Sequence, residues 1–340
     1  MKKLLIITDA WFPQVNGVVT VFDTITTLLR QRNIEVVVVH PRLFAHVYPF
    51  PLYPEVELAL FPGRRMREIF LREKPDYVHI ATEWTIGIAA RRFCLRKNIP
   101  FTTSYHTNFP LYAAHYFGFG KIFSSLASRY MHWFHGASQA IMVSNPSLKS
   151  QLEGEGYAPV VLWPFGIDTK RFVRNESRAP KLNIAHPVFV YFGRIAKEKD
   201  VEEFLRAQLP GTKLVIGDGP QRAELEKKYG NEALFVGYKR GQELVDMLSL
   251  CDVCVFPSRT ETFGMVGLEA LACGIPVAAH DVLGPHDFIT PGVDGMLDED
   301  LGRAAIACLT LSREDCHRKA LQYSWDSSAD IFLEHVQKYV

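Results

Sequence analysis

Two glutamates, Glu261 and Glu269, lie eight residues apart in a segment whose residue types suit a ligand that carries hydroxyl and phosphate groups. A helical pattern begins between them, at about Met265. The first amides of a helix lack acceptors within it and carry the positive end of its dipole, so residues 262–265 can bind such groups. Glu269, one turn into the helix, could accept from two vicinal hydroxyls. The alternative is that each glutamate is simply solvated.

The elements around this segment place it at the edge of a sheet. The apolar run Val253–Phe256 predicts a buried strand that ends at Pro257. The helix after it is expected to stop at Gly274, before a further strand at 276–279. This unit of strand, loop, helix and strand belongs to a parallel sheet, in which ligands bind beyond the carboxyl ends of the strands. Glu261 is therefore expected at the ligand-binding edge.

Two cations follow another predicted strand, Val188–Phe192, in the sequence Gly193-Arg194 and then Lys199. Arg194 could give paired N–H contacts to a diphosphate, and Lys199 a point charge. The alternative is a solvated charged loop. A strand at 213–216 then leads into the turn Gly-Asp-Gly-Pro, which contains Gly219.

The first half of the chain begins with a strand at 4–7 and an amphipathic helix whose apolar residues run from Val18 to Leu29. The loop between them has one glycine, Gly17, whereas a dinucleotide-binding fold requires G-x-G-x-x-G. An NAD enzyme is therefore disfavoured. Further strands are predicted at 36–39, 77–80 and 101–104, and His106 follows the last of them. A lone histidine is usually structural.

The segment 258–277 resembles a motif of the retaining glycosyltransferases with the GT-B fold, the large family-four group. It reads S-x-x-E-x-F-G-x-x-x-L-E-A-x-A-x-G-x-P-V and contains the E-x7-E pair of that family. The segments SYHTNFP around His106, G-R-x-x-x-x-K from Gly193 and G-x-D-x-x-x-F from Gly166 are also similar to family segments. The resemblance covers nearly the whole chain. It implies an α/β fold of GT-B type, with two Rossmann-like doubly wound domains facing a cleft.

The resemblance also implies roles for individual residues. Glu261 would contact the transferred sugar, Glu269 would hold the ribose, and His106 would orient sugar hydroxyls and assist departure of the phosphate. The implied catalytic residues are His106, Arg194, Lys199 and Glu261. The implied donor contacts are Gly17, Gly193, Arg194, Lys199, Gly219, Thr262, Phe263, Gly264, Met265 and Glu269. The family usually carries a glycine pair where this chain has Asn16-Gly17.

The expected domains are 1–165, which binds the acceptor, 166–325, which binds the nucleotide sugar, and a helix at 326–340 that packs back on the first. A Pro-containing segment at 171–187 has no clear periodicity, as an interdomain connection should. The expected reaction is retaining transfer of a hexose from a nucleotide diphosphate sugar to an acceptor hydroxyl. GDP-mannose is favoured over UDP-glucose, and the expected acceptor is a glycolipid or polysaccharide precursor. No metal or cofactor is expected, because Arg194 and Lys199 would stabilise the leaving diphosphate without a metal ion.

Two alternatives remain beside the NAD enzyme. A nucleotide-sugar epimerase of GT-B architecture would change the donor without an acceptor, and product analysis would separate it from a transferase. A catalytically silent sugar-nucleotide binder is disfavoured because Glu261, Glu269, Arg194 and Lys199 are all present.

Composition indicates the number of domains, the cellular compartment and the state of the cysteines. The 340 residues suffice for two domains, and no run of about 18 apolar residues or leader-like start is seen, so a cytoplasmic protein is expected. The six cysteines lie mostly in apolar segments, which favours reduced thiols. Cys251 and Cys254 form C-x-x-C without a second pair or a nearby histidine, so metal or redox chemistry is not expected. Nucleic acid is not an expected partner.

Charge is uneven along the chain, at +6 for residues 1–165 and −5 for residues 166–340. A basic amphipathic segment, Arg64 to Lys74, and an aromatic-rich helix at 121–134 lie in the basic half. These features predict reversible contact with an anionic membrane, on its cytoplasmic face. The alternatives are a chance charge excess, a surface helix packed on its own domain, and aromatic residues that serve as core.

Overall fold

The computed structural model describes residues 2–14, 16–50, 53–106 and 120–340, without the side chains of 53–56 and 120–124. The chain divides into two compact units, residues 1–165 with 325–340 and residues 166–324. The last helix begins at Trp325, one residue before the predicted boundary. Within these described ranges, no helix is both long and apolar enough to cross a membrane.

The first unit contains a parallel sheet with helices and one antiparallel hairpin. Its strands, β1 to β8 in chain order, are Lys3–Ile7, Glu35–Val39, Val47–Phe50, Tyr53–Ala59, Tyr77–Ile80, Thr102–Ser104, Ile141–Val143 and Val160–Leu162. Its helices are Gly17–Gln31, Gly63–Glu73, Thr85–Lys97, Gly120–His135, Pro146–Gly154 and Trp325–Tyr339, with a 3-10 turn at Pro41–Leu43. The sheet order is β2-β1-β5-β6-β7-β8, and β3 pairs with β4 separately.

Local signals explain the first and last helices of this unit. Asn16 accepts a hydrogen bond from the amide of Val19 at 3.0 Å and so caps the helix Gly17–Gln31. Arg32, at the end of this first helix, contacts the last helix of the chain. Its guanidinium lies 3.0 Å from Asp326 and 2.5 Å from Asp330. The helix Trp325–Tyr339 therefore completes the first unit, as its buried Phe332 also indicates.

The second unit is a second parallel sheet covered by helices. Its strands, β9 to β14, are Val188–Phe192, Thr212–Ile216, Ala233–Gly237, Val253–Phe256, Val277–Ala279 and Gly295–Leu297. Its helices are Val201–Arg206, Arg222–Tyr229, Gly241–Leu248, Met265–Ala272, Pro285–Phe288, Leu301–Cys308 and Arg313–Ala320, with 3-10 turns at Glu176–Arg178 and Lys197–Lys199. The sheet order, β11-β10-β9-β12-β13-β14, is that of a dinucleotide-binding Rossmann sheet.

Each sheet has one point at which the order of its strands reverses. In the first unit this point lies between β1 and β5, and in the second between β9 and β12. Loops that leave the carboxyl ends of two such strands diverge to opposite sides and leave a crevice, which is where open α/β sheets bind ligands. The predicted α/β class with two parallel sheets is confirmed.

Candidate active site

The loops after β9 and β12 meet at the reversal point of the second sheet. The carbonyl of Glu198, in the first loop, accepts hydrogen bonds from Ser258 Oγ at 3.1 Å and Thr260 Oγ1 at 3.0 Å in the second. A Cβ built on Gly193 would lie 3.8 Å from the side chain of Val266, in the first turn of the helix after β12. The structure thus brings the predicted donor contacts of both loops to one edge.

Lys199 and Glu261 form an ion pair across this edge. Their side chains are 23% and 17% exposed, so the pair is largely withdrawn from water. Arg194 lies in the same loop as Lys199, half-buried, and its carbonyl accepts from the hydroxyl of Tyr191 at 2.5 Å. The two cations and the carboxylate predicted from the sequence therefore lie on neighbouring loops.

The helix Met265–Ala272 begins at Gly264, whose φ of +87° is in the left-handed region that favours glycine. The amide of Gly267 bonds to the carbonyl of Gly264 at 2.9 Å. The amides before Gly267 precede the first helical hydrogen bond, so they face outward from the helix start. Thr262 and Phe263 complete the turn, with Phe263 buried and Thr262 half-buried.

Glu269 lies one turn into this helix in an apolar setting. Burial raises the pKa of its carboxyl from 4.5 to about 7, while the charge of Arg171 acts in the opposite direction. Among the residues with described side chains, none forms a hydrogen bond or ion pair with this carboxylate. A partly desolvated carboxylate with unused lone pairs is ready to accept from hydroxyl groups of a ligand.

The turn that contains Gly219 packs backbone against backbone on the loop after β9. A Cβ at Gly219 would come within 2.3 Å of the carbonyl oxygen of Ile195, and one at Gly217 within 1.9 Å of that of Gly193. The amide of Ile195 in turn bonds to the carbonyl of Asp218 at 2.8 Å. A side chain at Gly217 or Gly219 would therefore displace the loop that carries Arg194.

His106 and Gly17 lie in the first unit. Nε2 of His106 is 2.7 Å from Ser104 Oγ, which is 3.1 Å from Nε2 of His79, and Nδ1 of His79 is 2.9 Å from Thr102 Oγ1. We call these four side chains the His79 relay. Burial lowers the pKa of His106 to about 3, with a further contribution from His135. The predicted segment after His106, residues 107–110, lies outside the described residues.

Asp9 is a further buried residue at the reversal point of the first sheet, two residues after the end of β1. It is 1% exposed, and its carboxylate accepts from Thr82 Oγ1 at 2.9 Å and from the amides of Ile86 and Gly87 at 3.1 and 3.4 Å. Burial raises its pKa to about 6, and these hydrogen bonds oppose the shift. The sequence analysis did not single out Asp9. An acidic residue two positions after the end of an apolar strand is the signal that could have found it.

The helix Gly63–Glu73 packs on its own unit, which was one of the alternatives for the basic segment. Met66, Ile69 and Phe70 are buried in the core of the first unit. Arg64 and Arg65 both contact Glu68 at 3.2 Å. The apolar side of this helix is therefore not available to a membrane.

Within residues 2–14, 16–50, 53–106 and 120–340, no group of three or more His, Cys, Asp or Glu side chains is arranged to hold a metal ion. All six cysteines are buried free thiols.

Comparisons with known proteins identify the family of the chain. The family model described as Glycosyltransferase Family 4 matches residues 15–171, and the model described as Glycosyl transferases group 1 matches residues 173–306. A GDP-mannose-dependent alpha-mannosyltransferase of Mycobacterium tuberculosis is 28% identical over 98% of this chain and 96% of its own length. The matched families are transferases, so the epimerase alternative gains no support.

Solved structures share the fold. Sucrose-phosphate synthase from Thermosynechococcus elongatus superposes with a TM-score of 0.83 at 19% identity, covering 99% of both chains. Anabaena HepE, solved in complex with UDP and glucose, has a TM-score of 0.72 at 15% identity, covering 99% of this chain and 100% of its own. At these identities the likeness establishes the fold alone.

Proposed function

The chain belongs to the glycosyltransferases of the family-four type with the GT-B fold, and from this premise we propose that it transfers a hexose from a nucleotide diphosphate sugar with retention of configuration. The observation that carries the proposal is the Lys199–Glu261 ion pair between the two loops at the reversal point of the second sheet, where Arg194 and the helix start at Met265 also belong to these loops. A diphosphate fits the two cations. The hydroxyl groups of a sugar fit Glu261 and the amides at the helix start. The proposal is supported by the general location of ligand sites in open α/β sheets, which is the point where the strand order reverses.

Arg194 and Lys199 supply the charge that the leaving group requires. As the bond to the sugar breaks, negative charge grows on the diphosphate, and fixed cations in a partly dry site stabilise it strongly. Lys199 is held by Glu261 in the free protein. A diphosphate would compete for this lysine and leave Glu261 free to accept a hydroxyl of the transferred sugar.

Glu269 is the proposed ribose contact. Its carboxyl, with a pKa of about 7, is partly protonated near neutral pH in the free protein. Two hydroxyl donors would stabilise its charged form, so ligand binding is expected to lower that pKa. The amides at the start of the helix Met265–Ala272 are proposed to receive the sugar and phosphate groups.

Retention is proposed through departure and attack on the same face of the sugar, by way of an oxocarbenium-like state. Glu261 is paired with Lys199 and so is assigned to binding rather than to covalent attack. The first unit is proposed to bind the acceptor. His106, neutral because of its burial, would orient hydroxyls and assist the departing phosphate rather than act as a general base.

The donor is proposed to be GDP-mannose, with UDP-glucose as the second candidate. The mannosyltransferase relative supports the first and the structure of HepE with UDP and glucose supports the second. Thermal-shift measurements with both nucleotide sugars decide between them, since a ligand at about 100 times its Kd adds about 2.7 kcal/mol. Incubation with the preferred donor and sugar or glycolipid acceptors, followed by NMR of the new linkage, tests the reaction. An inverted anomeric centre would refute retention, and an isomerised donor formed without acceptor would indicate an epimerase.

We also propose that the acceptor lies on an anionic membrane surface that the first unit contacts reversibly. Phe61 is 93% exposed with a left-handed φ of +48°, a conformation that bulky residues rarely adopt, and Leu60 beside it is 47% exposed. Arg64 and Arg67 follow within the first turns of the next helix and are exposed. An exposed aromatic and aliphatic pair beside arginines matches the chemistry of an anionic lipid surface.

A further inference from the structure

The His79 relay follows from the register of two neighbouring strands. His79 in β5 lies opposite Thr102 in β6. Side chains alternate between the faces of a strand, so Thr102, Ser104 and the continuing His106 point to the same side. The relay is therefore a consequence of the fold, since His79, Thr102 and Ser104 lie in neighbouring strands and His106 follows two residues after β6.

Aromatic side chains seal the relay from water. The ring of His79 lies 5.0 Å from that of Phe332, 5.5 Å from Phe22 and 6.3 Å from Trp163, between ring centres. Thr102, His79 and Ser104 are each at most 1% exposed. Burial lowers the pKa of His79 well below its usual range, so both imidazoles of the relay are neutral. A neutral imidazole has one N–H and one bare nitrogen, so the relay has a direction.

The hydroxyl of Thr102 decides that direction. Among the residues the structure describes, this hydroxyl has no hydrogen-bond partner other than Nδ1 of His79. If His79 donated to it, the proton of Thr102 would be buried without an acceptor, a situation that folded proteins avoid. Thr102 therefore donates to Nδ1 of His79, and Nε2–H of His79 donates to Ser104.

The hydroxyl proton of Ser104 is then left for Nε2 of His106, 2.7 Å away. His106 must accept at Nε2 and carry its own proton on Nδ1. We propose that Thr102, His79 and Ser104 are positioning residues that hold His106 as a neutral hydrogen-bond donor through Nδ1. The significance for sugar transfer rests on the proposed function, because a neutral N–H donor suits a hydroxyl or phosphate oxygen of the nucleotide sugar.

Nitrogen NMR of the histidine rings tests the relay without reference to activity. Long-range 1H–15N spectra of the 15N-labelled protein report which ring nitrogen is protonated, and His106→Gln identifies the signals of His106 among those of the twelve histidines. We expect the Nδ1–H tautomer in the unmodified protein. We expect a mixture of tautomers in Thr102→Val, which removes the terminal donor at nearly constant shape, and the original spectrum in Thr102→Ser.

Thr103→Val is the matched control. Thr103 is the next residue of the same strand, equally buried, but its hydroxyl contacts Ser138 at 3.1 Å and Nδ1 of His135 at 2.9 Å. It should leave the signals of His106 unchanged. An Nε2–H tautomer in the unmodified protein, or equal effects of Thr102→Val and Thr103→Val, would overturn the proposal.

Kinetics then separates the relay from the proposed function. Ser104→Ala should lower kcat on the order of tenfold with little change in the KM for the donor, because His106 is misoriented rather than removed. Thr102→Ser should retain the activity that Thr102→Val loses. A protein with the expected tautomers but without transferase activity would refute the proposed function and leave the relay intact. If the protein is active but the tautomers are unchanged in Ser104→Ala and Thr102→Val, the relay is refuted and the proposed function is left intact.

Discussion

Lys199 and Glu261, which are 62 positions apart in sequence, form an ion pair that joins the loops after β9 and β12. In the free protein each charge is already compensated by the other. A diphosphate that bound Lys199 would therefore replace the contact with Glu261. The affinity for the diphosphate would then reflect the difference in free energy between the contact of Lys199 with the diphosphate and its contact with Glu261. Under the proposed function, the hydrogen-bonding state of Glu261 would therefore depend on whether the donor is bound.

Removal of either cation should slow the reaction. We expect Arg194→Ala or Lys199→Ala to lower turnover on the order of 10² to 10³, because each removes a charge that is proposed to stabilise the leaving group. Steady-state kinetics measures this, with Lys197→Ala as the control, since Lys197 is an exposed cation of the same loop. Near-normal turnover in Arg194→Ala and Lys199→Ala would rule out the proposed role of these two cations in binding the diphosphate.

Substitutions of the two glutamates should have different effects. Glu269→Ala should weaken nucleotide binding by about 1.5 to 3 kcal/mol, the usual contribution of a hydrogen bond to a charged group. Glu261→Ala and His106→Ala should impair sugar transfer more than nucleotide affinity. Calorimetry with the nucleotide and kinetics with the nucleotide sugar separate the two effects. Unchanged nucleotide affinity in the Glu269 variant would remove the ribose assignment.

The buried carboxyl of Glu269 should make stability depend on pH. Its folded-state pKa of about 7 lies above the ordinary 4.5, so its stabilising contribution is complete below about pH 4.5 and is lost as the pH rises through about 7. We expect Glu269→Gln to raise the free energy of unfolding by about 3 kcal/mol at about pH 8 and by less than about 1 kcal/mol at about pH 5. Thermal unfolding of the ligand-free protein at both pH values measures this. An equal effect at both values would show that the carboxyl titrates normally.

Vesicle binding should depend on Phe61 and on salt. Each basic residue near an anionic surface contributes about 1 kcal/mol, screened within about 10 Å at 0.1 M salt. Insertion of a phenylalanine contributes about 1.5 to 3 kcal/mol, so Phe61→Ser should weaken binding about tenfold or more. Co-sedimentation with anionic and neutral vesicles at low and high salt is the measurement. Leu321→Ser, which changes an exposed apolar residue of the second unit, should have no effect. Equal or absent binding in all four conditions would indicate an acceptor away from membranes.

The sequence predicted the strands best where both faces are covered, because an unbroken apolar run then marks the element. Val188–Phe192 and Val253–Phe256 have the predicted bounds. Short helices were missed, such as Val201–Arg206, since six residues contain less than two turns of periodicity. The hairpin of β3 and β4 was missed as well, and Pro49 within β3 is a residue type that argues against a strand.

The candidate site could also be predicted only where its residues are close in sequence. The spacing of Glu261 and Glu269 is local, so one loop and one helix turn suffice to interpret it. The pairing of Lys199 with Glu261 depends on β9 and β12 being neighbours, and the contact of His79 with Thr102 depends on the register of β5 and β6. Such contacts between distant segments are set by tertiary packing, which a single sequence does not display.

The helix Trp325–Tyr339 supplies Phe332 to the aromatic wall of the first unit, against Trp163 and His79. During synthesis, the strands of the first unit leave the ribosome long before this helix does. The unit that is made first is therefore the last to be finished, and its Trp163 face stays uncovered while the whole second unit is translated. A nascent chain halted before Trp325 would hold every residue of the second unit and an incomplete first unit, which makes that stage the one most exposed to aggregation.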